Sequence, residues 1–368
     1  MTAAGSRQGR QALKLQDYRI EHYQPPQRAQ VVEVISQLLG GDRTANERYF
    51  GWKYEQNPHA EGVMGIVATH RGKVVGFRGY GASLWQSDTG NTLRVLVPGD
   101  TCVDIEHRRK GLSVAMGQRA MADFAGGYPL FLNLSCTRNS LPGYLRLGFA
   151  PLAEKVYLSR YGLPGLAAYL LSSKKQRPLA AARIRYGQFG DFQVGATPMS
   201  EQMASVIERQ EPAAGRFQLC QDERYFRWRF SGPTDKFIFY CLSAGGDPVA
   251  YLVLSVTPAN RRAYVVDHAD TDGESAARLL DFVIERRDFS VLSIFSHSIS
   301  ASLEPALRRA GFHAGGIMGA LERRVRGNLP LLVRPVLPGP GEKDWFIEGV
   351  DVRHPDNWFI KGICSDST

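Results

Sequence analysis

The sequence predicts a mixed α/β protein made of two tandem copies of one unit, each a mixed, mostly antiparallel sheet flanked by helices. Three observations carry this. The segment Glu47-Arg48-Tyr49-Phe50-Gly51-Trp52-Lys53-Tyr54 returns as Glu223-Arg224-Tyr225-Phe226-Arg227-Trp228-Arg229-Phe230, an offset of 176 residues with five of eight positions identical. Self-similarity of this kind marks a duplicated structural unit. Behind each copy run two apolar stretches separated by a Gly-containing turn, the signature of a β-hairpin. Behind each hairpin, alternation with period two gives way to the wider spacing of an amphipathic helix.

In the first unit the hairpin turns at Arg71-Gly72-Lys73. A strand over Leu93–Val97 follows, continuing through Thr101–Ile105, then a helix Leu112–Phe124 and a strand Leu130–Leu134. The second unit repeats the order with a turn at Gly245-Gly246-Asp247-Pro248, a strand Arg262–His268, a helix Ser275–Arg286 and a strand Val291–Phe295. Each unit closes on a short helix and a Gly-Phe pair, Gly148-Phe149 and Gly311-Phe312, in which Gly ends the helix and Phe starts the next strand. The expected organisation is a disordered lead-in over 1–14, a first unit over 15–160 and a linker with a short helix over 161–188. A second unit over 189–326 and a Pro- and Gly-rich tail over 327–368 complete it, with Trp345-Phe346-Ile347 expected to pair with one of the sheets.

Composition narrows the function classes. Of 368 residues, 43% are hydrophobic and 22% charged, the balance of a soluble globular protein. No stretch approaches the roughly 20 apolar residues of a membrane span, and the polar N-terminus lacks a secretory core, so a cytoplasmic location is expected. Five scattered cysteines without a CxxC pair argue against a disulfide framework and a structural zinc site. His297 and His313 show no metal-ligand spacing. The net charge of +9 suits an anionic partner. Nucleic acid is disfavoured, because the aromatics lie in core-like repeats and are not interleaved along a basic stripe. The clusters Lys174–Arg177 and Arg323–Arg326 are expected to be solvated surface; only Arg108–Lys110 has a context that gives charge a task.

That context is Val103-Asp104-Ile105-Glu106-His107-Arg108-Arg109-Lys110-Gly111-Leu112-Ser113, a strand end, three basic residues, and Gly-x-Ser opening a helix. The first amides of a helix are unsatisfied and the helix dipole favours negative charge there. A small residue lets phosphate oxygens approach, and basic side chains add charge-assisted bonds. The equivalent turn of the second unit, Asp267-His268-Ala269-Asp270-Thr271-Asp272-Gly273-Glu274-Ser275, replaces the basic residues with acids that would repel a phosphate. Asp267 and His268 are expected to be satisfied structural groups.

On these residues the sequence resembles the GNAT superfamily of acyl-coenzyme A-dependent N-acyltransferases. Their signature, Arg/Gln-x-x-Gly-x-Gly/Ala after the fourth strand, stands here as Arg108-Arg109-Lys110-Gly111-Leu112-Ser113, with Ser for the last small residue. The family's Val-x-Pro is Val103-Asp104-Ile105, without the Pro. Its Tyr-x-x-x-Gly-Phe is present as Tyr144 to Phe149. Asn139 to Tyr144 is similar to its Asn-x-x-Ser-x-x-Tyr region, although the position seven before the Tyr is Thr137. The Trp-Lys-Tyr element at Trp52 is similar to bacterial tandem members.

The resemblance implies a donor site for acetyl-coenzyme A or another acyl-coenzyme A, with no metal. It places the pyrophosphate on Arg108, Arg109, Lys110, Gly111, Leu112 and Ser113, and the pantetheine arm on the splayed strand edge at Cys102, Val103 and Ile105, with Asn139 nearby. It implies direct attack by a primary amine, with Tyr144 protonating the leaving thiolate. Asp100, which alternation puts on one face with Cys102 and Asp104, is a candidate base acting through water. Competing readings make Tyr144 a core aromatic and Asp100 a turn cap after Pro98-Gly99. His107 and Cys136 are weaker candidates for base and nucleophile. The leading expectation is an N-acetyltransferase for a small-molecule amine, such as a nucleotide-linked amino sugar, with a scaffolding second unit. The alternative is a non-catalytic acyl-coenzyme A sensor.

Overall fold

The computed structural model describes residues 14–162, 184–212, 214–233, 236–257, 262–314 and 329–365. The lead-in up to residue 13, the linker helix expected within 161–188 and the two outlying basic clusters lie outside the described residues.

The first half begins with β1 (Arg19–His22), followed by α1 (Arg28–Leu39) and α2 (Arg43–Phe50). Helix α1 buries Val31, Val32, Val34 and Ile35 on one face, and ends where Gly40 adopts φ 66°. The hairpin β2 (Met64–His70) and β3 (Lys73–Gln86) turns through Arg71 and Gly72, both at positive φ as a tight two-residue turn demands. Then come β4 (Thr92–Val103), α3 (Leu112–Phe124), β5 (Leu130–Asn133), α4 (Leu141–Arg146), β6 (Ala150–Glu154) and β7 (Tyr157–Tyr161).

The second half opens on the hairpin β8 (Gly187–Phe189) and β9 (Phe192–Gly195), then α5 (Ser200–Arg209), β10 (Phe217–Leu219) and α6 (Glu223–Arg229). It continues with β11 (Phe237–Ala244), β12 (Asp247–Thr257), β13 (Arg262–Asp270), α7 (Ser275–Glu285), β14 (Val291–Phe295) and α8 (Glu304–Arg309). The tail adds β15 (Pro330–Pro335), β16 (Phe346–Ile347), β17 (Val350–Asp351) and β18 (Trp358–Phe359). No helix among the described residues is long and apolar enough to cross a membrane.

Two sheets organise these strands, in the orders β1-β2-β3-β4-β5-β15-β6 and β7-β14-β13-β12-β11-β9-β8, with β10 and β18 extending the first along β3. Besides β10 and β18, which join the first sheet from the second half, two strands cross the boundaries expected from the sequence. Strand β7, placed with the first unit, pairs antiparallel with β14 of the second sheet, and Ser159 also bridges His313. Strand β15, placed in the tail, inserts between β5 and β6 of the first sheet. Each half thus contributes a strand to the other half's sheet. Alternation specifies which face of a strand is buried but not which strand lies beside it. A second correction concerns Trp345-Phe346-Ile347: among the described residues β16 pairs only with β17, in a small separate hairpin.

Helices α3 and α4 cover one face of the first sheet in a core with Met116, Ala120, Phe131 and Tyr144, while α1 covers the other with Ile35, Phe77 and Cys102. A third core joins the halves, from Trp85 and Val95 to Phe226, Tyr251 and the tail residues Trp358, Ile360 and Ile363. The two repeat copies meet at their shared tryptophans. Trp52 Nε1 donates to the Trp228 carbonyl at 2.8 Å, Trp228 Nε1 donates to the Trp52 carbonyl at 2.7 Å, and the rings stack at 5.6 Å. The reciprocity of these bonds is that of a local two-fold axis.

Candidate active site

The site begins with a mismatch between β4 and β5. They pair in parallel only at Val95–Leu130 and Leu96–Phe131, while the other edge of β5 pairs with β15 along its whole length. Against β3, the register of β4 shifts between Arg78 and Tyr80, opposite Pro98, Gly99 and Asp100. Such a bulge bends its strand away from its neighbour, and Pro98 has no amide to offer the ladder. The edge of β4 from Val97 to Val103 is left open toward β5.

That edge leads to the turn Ile105–His107 and then to Arg109 and Gly111, at φ 61° and φ 80°. Gly111 is the N-cap of α3 and brings no side chain to its first amides. Arg108 is tied back by Nε donating to the Val103 carbonyl at 3.0 Å. A cleft of about 680 Å³ runs here, walled on one side by Cys102, Val103, Arg108 and Arg109 and on another by Gly111, Leu112 and Ser113. Asn139 and Tyr144, from the segment after β5, complete it.

Three expected site residues are placed differently. Ile105 lies past the end of β4 and is 70% exposed, because the chain leaves the sheet at Val103. Lys110 is not among the cleft-lining residues. Asp100 points toward α2 and the helical turn Gly51–Glu55 after it, and not into the cleft: its carboxylate accepts from Tyr54 Oη at 2.8 Å, from Tyr49 Oη at 3.1 Å, and from Lys53 Nζ at 3.1 Å. Its oxygens are thus engaged on the side of the sheet away from Tyr144.

Tyr144 is buried on α4, edge-on to Phe149 at 5.0 Å. Arg78 from the middle of β3 lies over its ring at 4.9 Å and lines the same cleft. In the sequence Arg78 carries one signal, a charge inside the apolar run Val74 to Tyr80, which was not read as part of a site. Burial, with the Asp100 charge adding, pushes the Cys102 thiol up to about 12, and burial also raises that of Cys136, whose Sγ donates to the Pro330 carbonyl at 3.0 Å. Both are held as thiols, which does not suit a nucleophile. His107 lines the cleft with Nδ1 bonded to Tyr18 Oη at 3.0 Å.

The second half is built alike but closed. The pairing of β12 with β13 also shifts just before Asp267. Asp267 is fully buried and bonded to Lys361 Nζ at 2.9 Å, Gln221 Nε2 at 2.7 Å and Tyr251 Oη at 3.1 Å. His268 is bonded to the Ser298 carbonyl at 2.7 Å, and burial, together with the Lys361 charge, pushes it down to about 4. At the start of α7, Asp272 Oδ1 accepts from the amides of Glu274 and Ser275 at 3.0 and 2.8 Å, and Asp270 Oδ2 from that of Ala276 at 3.1 Å. The protein's own carboxylates occupy the position that α3 leaves open.

A splayed fourth strand running into an uncapped helix, in a mixed sheet covered by helices on both faces, defines the fold of the GCN5-related N-acetyltransferases, here in two tandem GNAT-like units. The chain is similar to a conserved protein of unknown function from Enterococcus faecalis V583, described as a "Probable N-Acyltransferase" (TM-score 0.58, 9% identity, covering 87% of this chain and 73% of that one). It is also similar to GCN5-related N-acetyltransferases from Anabaena variabilis ATCC 29413 (TM-score 0.55, 13% identity, 87% and 73%) and Kribbella flavida (TM-score 0.54, 11% identity, 87% and 72%). No family model and no curated protein sequence matches it.

Proposed function

We propose that the chain is an acyl-coenzyme A-dependent N-acyltransferase with one donor site, in its first half, and a primary amine as acceptor. The observation that carries this reading is the open edge of β4 meeting the uncapped N-terminus of α3 beside Arg108 and Arg109. The residues present fit the co-substrate: nothing lies within 4 Å of a Cβ built on Gly111, so an anion can reach the main chain. Arg108, Arg109 and the amides of Gly111, Leu112 and Ser113 would hold the pyrophosphate, and the β4 edge at Cys102 and Val103 the amide-bearing arm. Bound acyl-coenzyme A supplies an activated thioester that an amine attacks directly. Tyr144 holds the proton for the departing sulfur. Asp100, turned away from the cleft, ties α2 and the turn after it to β4, and the amine sheds its proton to solvent.

The acetyl group and the acceptor class belong to the same proposal. A basic surface favours an acceptor that carries negative charge, such as a nucleotide-linked amino sugar. The test is acetyl-coenzyme A consumption against a panel of amines that includes such sugars. Tyr144→Phe is expected to lower kcat about 100-fold on the best substrate, within the usual worth of a positioned acid. Full rate in that variant contradicts the acid role. The turning of Asp100 away from the cleft favours the second reading, a non-catalytic sensor; coenzyme A binding without turnover of any amine would select it.

A further inference from the structure

We propose that Arg78 is the cation that stabilises negative charge on the leaving sulfur at the Tyr144 end of the cleft, an inference that rests on the cleft being the acyl-coenzyme A site. Arg78 is 3% exposed, in the centre of β3. Its Nη1 donates to the Ser113 carbonyl at 3.1 Å, while its Nε is buried without a hydrogen-bond partner. The guanidinium lies 4.9 Å from the centroid of Tyr144 and 5.7 Å from that of Tyr80. Among the described residues no carboxylate pairs with it. Lys53 and Lys361, buried against β4 and β13, each have one: Asp100 at 3.1 Å and Asp267 at 2.9 Å.

A buried charge without a counter-ion is costly, and removing water makes it act strongly on any charge that forms beside it. A cation held this way in the wall of a cleft is preorganised for an anion that the ligand brings or develops. The transfer reaction develops one. As the acyl–nitrogen bond forms and the acyl–sulfur bond breaks, the bonding pair stays on sulfur. Tyr144 then gives the sulfur its proton and recovers one from water, which receives the proton lost by the amine. Arg78 stabilises the sulfur anion before that proton arrives, and Ser113, at the start of α3, fixes the guanidinium relative to the cradle.

The thiol of coenzyme A reads the same field without any acceptor. Coenzyme A and desulfo-coenzyme A are titrated calorimetrically into full-length wild type, Arg78→Lys and Arg78→Gln between about pH 7 and about pH 10. In the wild type the preference for coenzyme A should grow about tenfold over this range, since each unit by which a bound thiol's pKa falls is a factor of ten. Arg78→Lys should keep most of that growth and Arg78→Gln, which retains a donor for the Ser113 carbonyl, should lose it. A flat preference in the wild type overturns the inference even if the neutral variant fails to fold. Equal growth in Arg78→Gln overturns it as well, with the donor site intact. Binding of neither ligand to the wild type refutes the donor-site reading itself.

Discussion

Gly111→Glu should abolish coenzyme A binding, by at least about 100-fold in affinity, while the protein stays folded. A Cβ on this residue has nothing within 4 Å, so the backbone cost is that of a non-Gly residue at φ 80°, roughly 1–2 kcal/mol. Its carboxylate would sit at the N-terminus of α3, where it opposes a pyrophosphate and competes for the same amides. Losing even two charge-assisted bonds, each about 1.5–3 kcal/mol, accounts for the expected factor. Calorimetric titration measures it. Gly111→Ala is the control, because it carries the backbone strain without the charge and should bind within about tenfold of wild type. Unchanged affinity in Gly111→Glu would remove the cradle from the site.

Lys361→Met should be the most destabilising single change outside the donor cleft. Lys361 Nζ, from the tail, bonds Asp267 at 2.9 Å and the His268 carbonyl at 2.7 Å, and Asp267 is fully buried. Removing the ammonium strands a carboxylate in the core, which costs about 3–5 kcal/mol. A fall in Tm on the order of 5–10 °C is expected for a chain of this size. The double variant Lys361→Met with Asp267→Asn should recover part of the loss, because no uncompensated charge then remains. A double variant less stable than Lys361→Met alone would show that the pair's hydrogen bonds, not its charges, hold the tail to β13.

Local features of this molecule were legible in its sequence because each rests on neighbouring residues. The spacing of Leu112, Met116 and Ala120 defines α3, the Gly-containing turns define both hairpins, and the repeated Glu-Arg-Tyr-Phe-x-Trp defines the duplication. The local geometry of the proposed cradle was legible for the same reason: basic residues, Gly111 and the helix start lie within one short segment. Three features escaped. The exchange of β7 and β15 depends on pairing between segments far apart in the chain, for which an apolar run such as Leu331-Leu332-Val333 carries no address. Asp100 does share a face with Cys102 as alternation required, but that this face meets Lys53 and Tyr54 depends on how the α2 segment packs on β4, which alternation does not encode. Arg78 drew no reading from the sequence, because its setting comes from Tyr144 and Ser113, which reach it only in the fold. In the second half, by contrast, the acids around Gly273 were legible as hostile to phosphate. The structure adds that Asp270 and Asp272 are themselves the anions at that helix.

The central claim is one donor site per chain, open at α3 and closed at α7 by the protein's own carboxylates. Isothermal titration of coenzyme A into the full-length protein tests it most directly. The expected result is a stoichiometry of one per chain that disappears in Gly111→Glu. Two sites per chain, or one site that survives Gly111→Glu, would contradict it.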